Sequence, residues 1–219
     1  MKPGSYRTVH AGDAGLGALL PPHVIAVEAI GEVEPDALFP EEMSLVAGAV
    51  LSRRLDVARG RSCARRALAA LGISPVAIPS GADRAPIWPP GVVGSITHCH
   101  GYCCAAVARA ERCTTIGIDA EVIRTLESGV ERSILRETER ERLDALDAAV
   151  PWSCVVFSIK EASYKAWYPV LRRWLEFHDV DVALDVPNGA FTARVLDAAP
   201  VVGRFQIAND RVLSVATLE

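Results

Sequence analysis

Lysine is nearly missing from this chain. Of 23 basic side chains in 219 residues, 20 are arginine and three are lysine, at positions 2, 160 and 165. Other features are also scarce. No apolar run approaches the roughly 20 residues needed to cross a bilayer, and the first residues lack the charged-then-apolar pattern of a secretory leader. Both absences argue against a membrane span or an exported chain, and the expectation is a soluble cytoplasmic protein. There is no surplus of positive charge, the formal net charge being −4, so nucleic acid is not expected as the main partner. The six cysteines (Cys63, Cys99, Cys103, Cys104, Cys113, Cys154) form no regular framework, and a chain that is 50% hydrophobic has enough core to fold without staples.

Glycine, proline and the periodicity of the apolar residues set the expected elements. Residues 1–20 lack a period and read as a loose lead-in. A β-branched strand is expected over 24–30. A long helical stretch follows from Glu41 to Leu71, with Leu45, Val46, Ala49 and Val50 on one face, a possible break at Arg59-Gly60 and a stop at Gly72. Five prolines between 74 and 91 mark a loop. Strands follow at 92–97, 102–109 and 114–120. The second half repeats the plan, with helices near 130–147 and 152–168, then strands near 179–186, 190–196, 202–208 and 211–217. Asn188-Gly189 is a tight-hairpin signal and Asn209-Asp210 a weaker turn. The order predicts an α+β fold of two similar halves, 1–115 and 116–219, with a ligand cleft between them.

The chemistry-bearing residues cluster in four places. Lys160 and Lys165 flank Glu161 on the predicted 152–168 helix. In so arginine-rich a chain, two lysines around one glutamate suggest a need for a compact ammonium beside phosphate, the alternative being a solvated helix face. Asp119 and Glu121 stand at i and i+2 on a strand and share one face, where two carboxylates repel unless a cation lies between them; oxygen ligands of this kind suit Mg²⁺. Arg53 and Arg61, eight residues apart, lie near one helical face and suit a terminal phosphate, whereas Arg59, Arg65 and Arg66 read as an ordinary basic surface. Gly94-Ser95-Ile96-Thr97-His98 ends a strand with small hydroxyls and an imidazole. Two other features carry two readings each. The Cys/His cluster over 98–104 suits either buried thiols or zinc, though strand alternation would split its side chains between two faces. Trp167, Tyr168 and Trp174 suit either the core or an aromatic wall for a long substrate arm.

Three blocks in order carry a resemblance: Gly94–His98, then Gly117-Ile118-Asp119 with Glu121, then Phe157-Ser158-Ile159-Lys160-Glu161-Ala162-Ser163-Tyr164-Lys165. Together with the Arg61–Arg65 segment and the Arg84–Pro89 loop, they resemble the 4′-phosphopantetheinyl transferases, in particular the surfactin/enterobactin-synthase class, over about residues 40–180. The resemblance implies two pseudo-symmetric α+β halves in a monomer with coenzyme A bound between them. It implies transfer of the 4′-phosphopantetheine arm to a serine of an apo acyl or peptidyl carrier protein, a reaction of the holo-acyl-carrier-protein synthase type. On this resemblance Asp119, Glu121 and Glu161 match the Mg²⁺ ligands, and Lys160 and Lys165 the lysines near the pyrophosphate. Arg53, Arg61 and His98 match the 3′-phosphate groups, and Arg84, Ser95 and Thr97 the nucleotide region. Glu161 and Lys165 are the expected catalytic pair. Ala120 departs from a glutamine-like occupant seen in some members. Arg124, Arg132, Arg136, Arg140 and Arg142 are candidates for docking an acidic carrier, although glutamates alternate with them as on a solvated helix. The same acids and lysines would also serve a Mg²⁺-dependent hydrolase of coenzyme A or nucleotides, and a non-catalytic coenzyme A-binding module is the other rival.

Overall fold

The computed structural model describes residues 4–81, 83–195 and 198–218. Two antiparallel sheets lie between two long helices. The first sheet has strands β1 (Ser5–Val9), β2 (Ile25–Ile30), β3 (Val92–Cys99) and β4 (Tyr102–Arg109) in the order β1-β2-β4-β3. Helix α1 (Leu51–Ala70) covers one face, packing Cys63, Ala64, Ala67 and Leu68 against Val27, Cys103, Ala105 and Val107. The second sheet has β5 (Thr115–Val122), β6 (Val180–Asp185), β7 (Ala190–Val195), β8 (Val201–Ala208) and β9 (Arg211–Leu218), in the order β5-β9-β8-β7-β6. Helix α4 (Trp152–Leu171) lies on its outer face, and the short helices α2 (Ser128–Ile134) and α3 (Glu137–Leu143) precede it. Between the sheets Cys104, Ala106 and Ala108 meet Ile116, Ile118, Leu213 and Val215. Strand alternation thus sends Cys103 to the α1 side and Cys104 to the inter-sheet side, which splits the Cys/His cluster. Among the described residues no helix is long and apolar enough to cross a membrane.

Several elements differ from expectation. Residues 1–3 lie outside the described residues, and from residue 4 on the lead-in is not loose: β1 pairs with β2, and Leu16 and Leu19 of a 3₁₀ turn (Gly15–Leu19), with Leu20 after it, are buried between the halves. Gln206 Nε2 donates to the Gly15 carbonyl (2.7 Å) and Arg204 Nη1 to that of Ala18 (3.2 Å), so this segment also grips β8 of the second sheet. The 41–71 stretch is two elements, a 3₁₀ helix (Pro40–Val46) and α1, separated by Gly48 with φ +71°. Val50 and Leu51 are therefore exposed rather than facing the core. Conversely α1 runs unbroken through Gly60, whose missing Cβ lets Ile96 of β3 approach. The 130–147 helix is split at Leu135-Arg136, where the Glu139 carboxylate caps a fresh start by accepting the Arg136 amide (2.8 Å). Asn209 and Asp210 both take positive φ, making the weaker predicted turn a tight one joining β8 and β9.

Each half has a buried acid in an equivalent place. Glu42 accepts the Phe39 amide (2.9 Å) and the Ile78 amide (2.8 Å), and pairs with Arg65 of α1 at 2.9 Å. Glu139 accepts the Arg136 amide and the Val182 amide (2.8 Å), and pairs with Lys160 of α4 at 2.7 Å. Each acid caps the short helix that leads into the long one, and each anchors the chain that follows the long one.

Candidate active site

The two sheets meet at a seam without a continuous backbone ladder. The Ile118 and Ala120 amides of β5 donate to the hydroxyls of Ser95 and Thr97 on β3, each at 3.1 Å. Beneath β5 lies α4. A Cβ on Gly117 would collide with the Ala162 carbonyl and the Ala166 amide, so only glycine lets strand and helix come this close. That contact sets Asp119, two residues on and on the same face, against Lys165. Lys165 Nζ donates to Asp119 Oδ1 (2.7 Å) and to the Ile118 carbonyl (3.2 Å).

Asp119 is 3% exposed. Thr97 also donates to its Oδ1 (3.2 Å), while its buried Oδ2 has no hydrogen-bond partner among the described residues. Burial, then the charge of Asp119, pushes Glu121 up to about 7. Glu161 is raised as well, by burial first; Lys165 opposes the shift and Asp119 adds to it. These three acids feel one another, yet among the described residues no three carboxylate, thiol or imidazole groups are drawn into a ready-made ligand set. The donors still fit a hard divalent cation: all are carboxylates, burial first and then the charge of Asp119 raise two of them, and a buried carboxylate oxygen is left without a partner among the described residues.

A cleft of about 1250 Å³ opens beside Lys165, with none of the three acids among its lining residues. Its first-half wall includes Arg53, Arg61, Arg84, Ser95 and His98, and its α4 wall includes Tyr164, Lys165, Tyr168 and Arg172. Arg53 Nη1 donates to His98 Nε2 (3.2 Å), and burial lowers the His98 pKa and so favours its neutral form. Arg61 is largely buried and anchored, donating to the Ile78 carbonyl (2.6 Å) and Ser80 Oγ (3.1 Å). Arg59, Arg65 and Arg66 are engaged elsewhere, with the Val33 carbonyl, Glu42 and Asp36.

Two expected ligands are misplaced. Lys160 is 1% exposed and points away from the cleft, its ammonium donating to Glu139 (2.7 Å), the Ile134 carbonyl (2.8 Å) and the Phe177 carbonyl (2.9 Å). One residue along a helix turns a side chain by about 100°, so Glu161 and Lys160 cannot share a face. Thr97 does not line the cleft; its hydroxyl is used up by Asp119 and the Ala120 amide. Trp167 is core, donating to the Ala199 carbonyl (3.3 Å), while Trp174 is 70% exposed and packs edge-on against Tyr164. Sequence reasoning passed over Tyr164, Asp83 and Arg172. The run Glu161, Lys165, Tyr168, Arg172 on one helical face was the available signal for the last of these.

The 4′-phosphopantetheinyl transferase N-terminal domain matches residues 41–108, and the 4′-phosphopantetheinyl transferase superfamily matches residues 115–216. The chain belongs to the 4′-phosphopantetheinyl transferase superfamily. Relatives agree across most of its length. It is 44% identical to the 4′-phosphopantetheinyl transferase Svp of Streptomyces mobaraensis, covering 86% of this chain and 79% of that one. It is 45% identical to the 4′-phosphopantetheinyl transferase Npt of Nocardia iowensis, covering 78% of each. Against the enterobactin synthase component D of Salmonella typhi the identity is 32%, covering 66% of this chain and 61% of that protein. This transferase moves the 4′-phosphopantetheine arm of coenzyme A onto a carrier protein.

Proposed function

We propose that the transfer takes place where Asp119, Glu121, Glu161 and Lys165 converge, with the nucleotide end of coenzyme A held by Arg53, Arg61, Arg84, Ser95 and His98. The observation that carries this reading is the Lys165–Asp119 contact at one side of a cleft whose opposite wall holds the Arg53–His98 pair. Asp119, Glu121 and Glu161 would hold Mg²⁺, which supplies charge neutralisation for the transferring phosphoryl oxygens when bound. Glu161, its basicity raised by burial, takes the proton of the carrier serine as that hydroxyl attacks the β-phosphate. Lys165 reaches the leaving 3′,5′-ADP from the same helix face. The neutral imidazole of His98 and the anchored guanidinium of Arg61 orient the far end of the substrate.

The acceptor is proposed to be an acyl or peptidyl carrier domain of secondary metabolism or siderophore assembly, and the reaction to be of the holo-acyl-carrier-protein synthase type. Docking falls to residues 124–142, where Arg140 and Arg142 already pair with Glu137 and Asp181. The two halves, 1–115 and 116–219, are proposed as the two units of a monomer.

Intact-mass spectrometry of an apo carrier protein with this enzyme, coenzyme A and Mg²⁺ tests the reading. Gain of one phosphopantetheine mass, abolished by EDTA, is the expected result. Consumption of coenzyme A with no carrier shift would mean a hydrolase instead.

A further inference from the structure

Asp83 is out of place electrostatically. It is one of two carboxylates, with Asp56, among the described lining residues of a cleft that also carries Arg53, Arg61, Arg84, Lys165 and Arg172. Its two oxygens do different things. Oδ1 accepts the Ala85 amide (3.0 Å) and shapes the loop that carries it. Oδ2 reaches across the cleft to α4, where the Tyr168 hydroxyl donates to it at 2.7 Å and Arg172 Nη1 stands at 3.6 Å. The loop belongs to the first half and α4 to the second, so this contact bridges the mouth of the cleft. Tyr168 follows Glu161 and Lys165 on one face of α4, and Arg172 is the residue just past its last turn. At about 1.5 Å per residue, Arg172 lies roughly 16 Å along the axis from Glu161, towards the nucleotide side of the substrate rather than the reacting side. Arg172 and Arg84, next to Asp83, both take left-handed backbone conformations, φ +49° and +66°. At Arg172 this is a common left-handed stop of a helix, whereas at Arg84, in a loop, it is a conformation unfavourable for an L residue of a kind that collects at ligand sites.

We propose that Tyr168 and Arg172 bind a phosphate group at the nucleotide end of coenzyme A, and that Asp83 is an internal anion that competes with this phosphate for them. The proposal rests on the coenzyme A reading above. A phosphate oxygen offers Tyr168 and Arg172 the acceptor chemistry that Asp83 Oδ2 offers, with more charge. The Tyr168 hydrogen bond holds the Asp83 carboxyl below its ordinary range, so Asp83 is charged and a true competitor at neutral pH. The Arg172–Asp83 pair is exposed and long, and pairs of that kind are weak. Exchange is therefore easy. Entry of the nucleotide breaks the bridge between the halves, and release of 3′,5′-ADP restores it.

Calorimetry with 3′,5′-ADP and with coenzyme A, on the full-length enzyme, tests the exchange. Asp83→Asn keeps the Oδ1 acceptor for Ala85 and removes the charge, and it is expected to bind both nucleotides about three- to tenfold more tightly. Arg172→Ala and Tyr168→Phe are expected to bind them about three- to tenfold more weakly, and Arg172→Ala to weaken binding at least as much when Asp83 is already Asn. Loop damage lowers affinity and does not raise it, and simple loss of a repelling charge would tighten binding in any background, so a gain from Asp83→Asn that disappears when Arg172→Ala and Tyr168→Phe are already present is the mark of competition. Unchanged or weaker binding by Asp83→Asn overturns the competition, and unchanged binding by Arg172→Ala together with Tyr168→Phe overturns the phosphate site. Failure of the wild-type enzyme to bind either nucleotide would instead overturn the coenzyme A reading beneath it.

Discussion

The two buried acid–cation nodes are built alike and use different cations. In the first half Arg65 sets Nη1 against both oxygens of Glu42, donates to the Ala37 carbonyl (3.1 Å) and lies over the Phe39 ring. In the second half Lys160 sends one ammonium to three acceptors converging from α2, α3 and the chain before β6. A planar fork suits a flat carboxylate beside an aromatic ring, whereas three converging oxygens suit a tetrahedral point donor. The repeat of acid, cap and downstream amide marks these halves as variations on one plan. What differs is the neighbour on the long helix: beside Lys160 stands Glu161, which feels the charges of Lys165 and Asp119, while beside Arg65 stands Arg66, turned to surface Asp36.

The largest break between the halves is expected from Glu161→Gln. Turnover on the carrier should fall about 10²- to 10⁴-fold with loss of the proton acceptor, while coenzyme A affinity by calorimetry stays within about threefold. Near-normal turnover would remove Glu161 from the chemistry. Lys160→Ala and Arg65→Ala each strand a buried carboxylate, and urea unfolding should show a loss of about 3–5 kcal/mol for either. If the nodes are equivalent, Glu139→Gln and Glu42→Gln added to them should each recover part of the loss; recovery in only one half would end the equivalence. The folded Lys160 variant should keep its coenzyme A affinity, and a clear drop would return that lysine to the substrate.

Arg61→Ala should raise the KM for coenzyme A about 10- to 100-fold with a small change in kcat. Dephospho-coenzyme A should lose the difference between variant and wild type. An equal loss with both substrates would move Arg61 off the 3′-phosphate. The smallest effect is on pH dependence. Glu121 titrates near 7 when folded against an ordinary 4.5, so it holds more protons folded than unfolded in that window. Its contribution to stability therefore declines as pH rises from about 4.5 to 7. A cation relieves that loss, so Mg²⁺ should raise the melting temperature more at pH 8 than at pH 6, read by thermal scans. An equal rise at both would argue against Glu121 as a ligand.

Scarcity of lysine suggested an ammonium beside phosphate at both helix positions; Lys165 stands beside Asp119 at the cleft, whereas Lys160 is buried against Glu139. It could not say which acceptors Lys160 meets, because those come from Ile134, Glu139 and Phe177, on segments far apart in the chain. Spacing placed Asp119 and Glu121 on one face, since strand alternation is local. The use of the Thr97 hydroxyl was hidden, because a Ser/Thr strand end looks the same whether it faces a ligand or a neighbouring strand. The strands and α4 were legible through their apolar periods. The split at Arg136 and the start of α1 at Leu51 were not, since one depends on a local cap by Glu139 that the apolar period does not mark and the other on one left-handed glycine. Residues 1–20 misled because their leucines find partners only across the chain.

That last arrangement has a consequence for how the protein is made. The backbone oxygens of Ala18 and Gly15 accept bonds from residues 186 and 191 positions later, and Leu16, Leu19 and Leu20 are buried with Leu213 and Val215. During synthesis residues 15–20 are made 186 residues or more before these partners, so their full docking waits until β8 and β9 have emerged. Its docking closes an early-made segment over a much later one. A chain cut short before β8 would leave those leucines exposed, and the quality-control machinery of the cell would meet it as an unfinished protein.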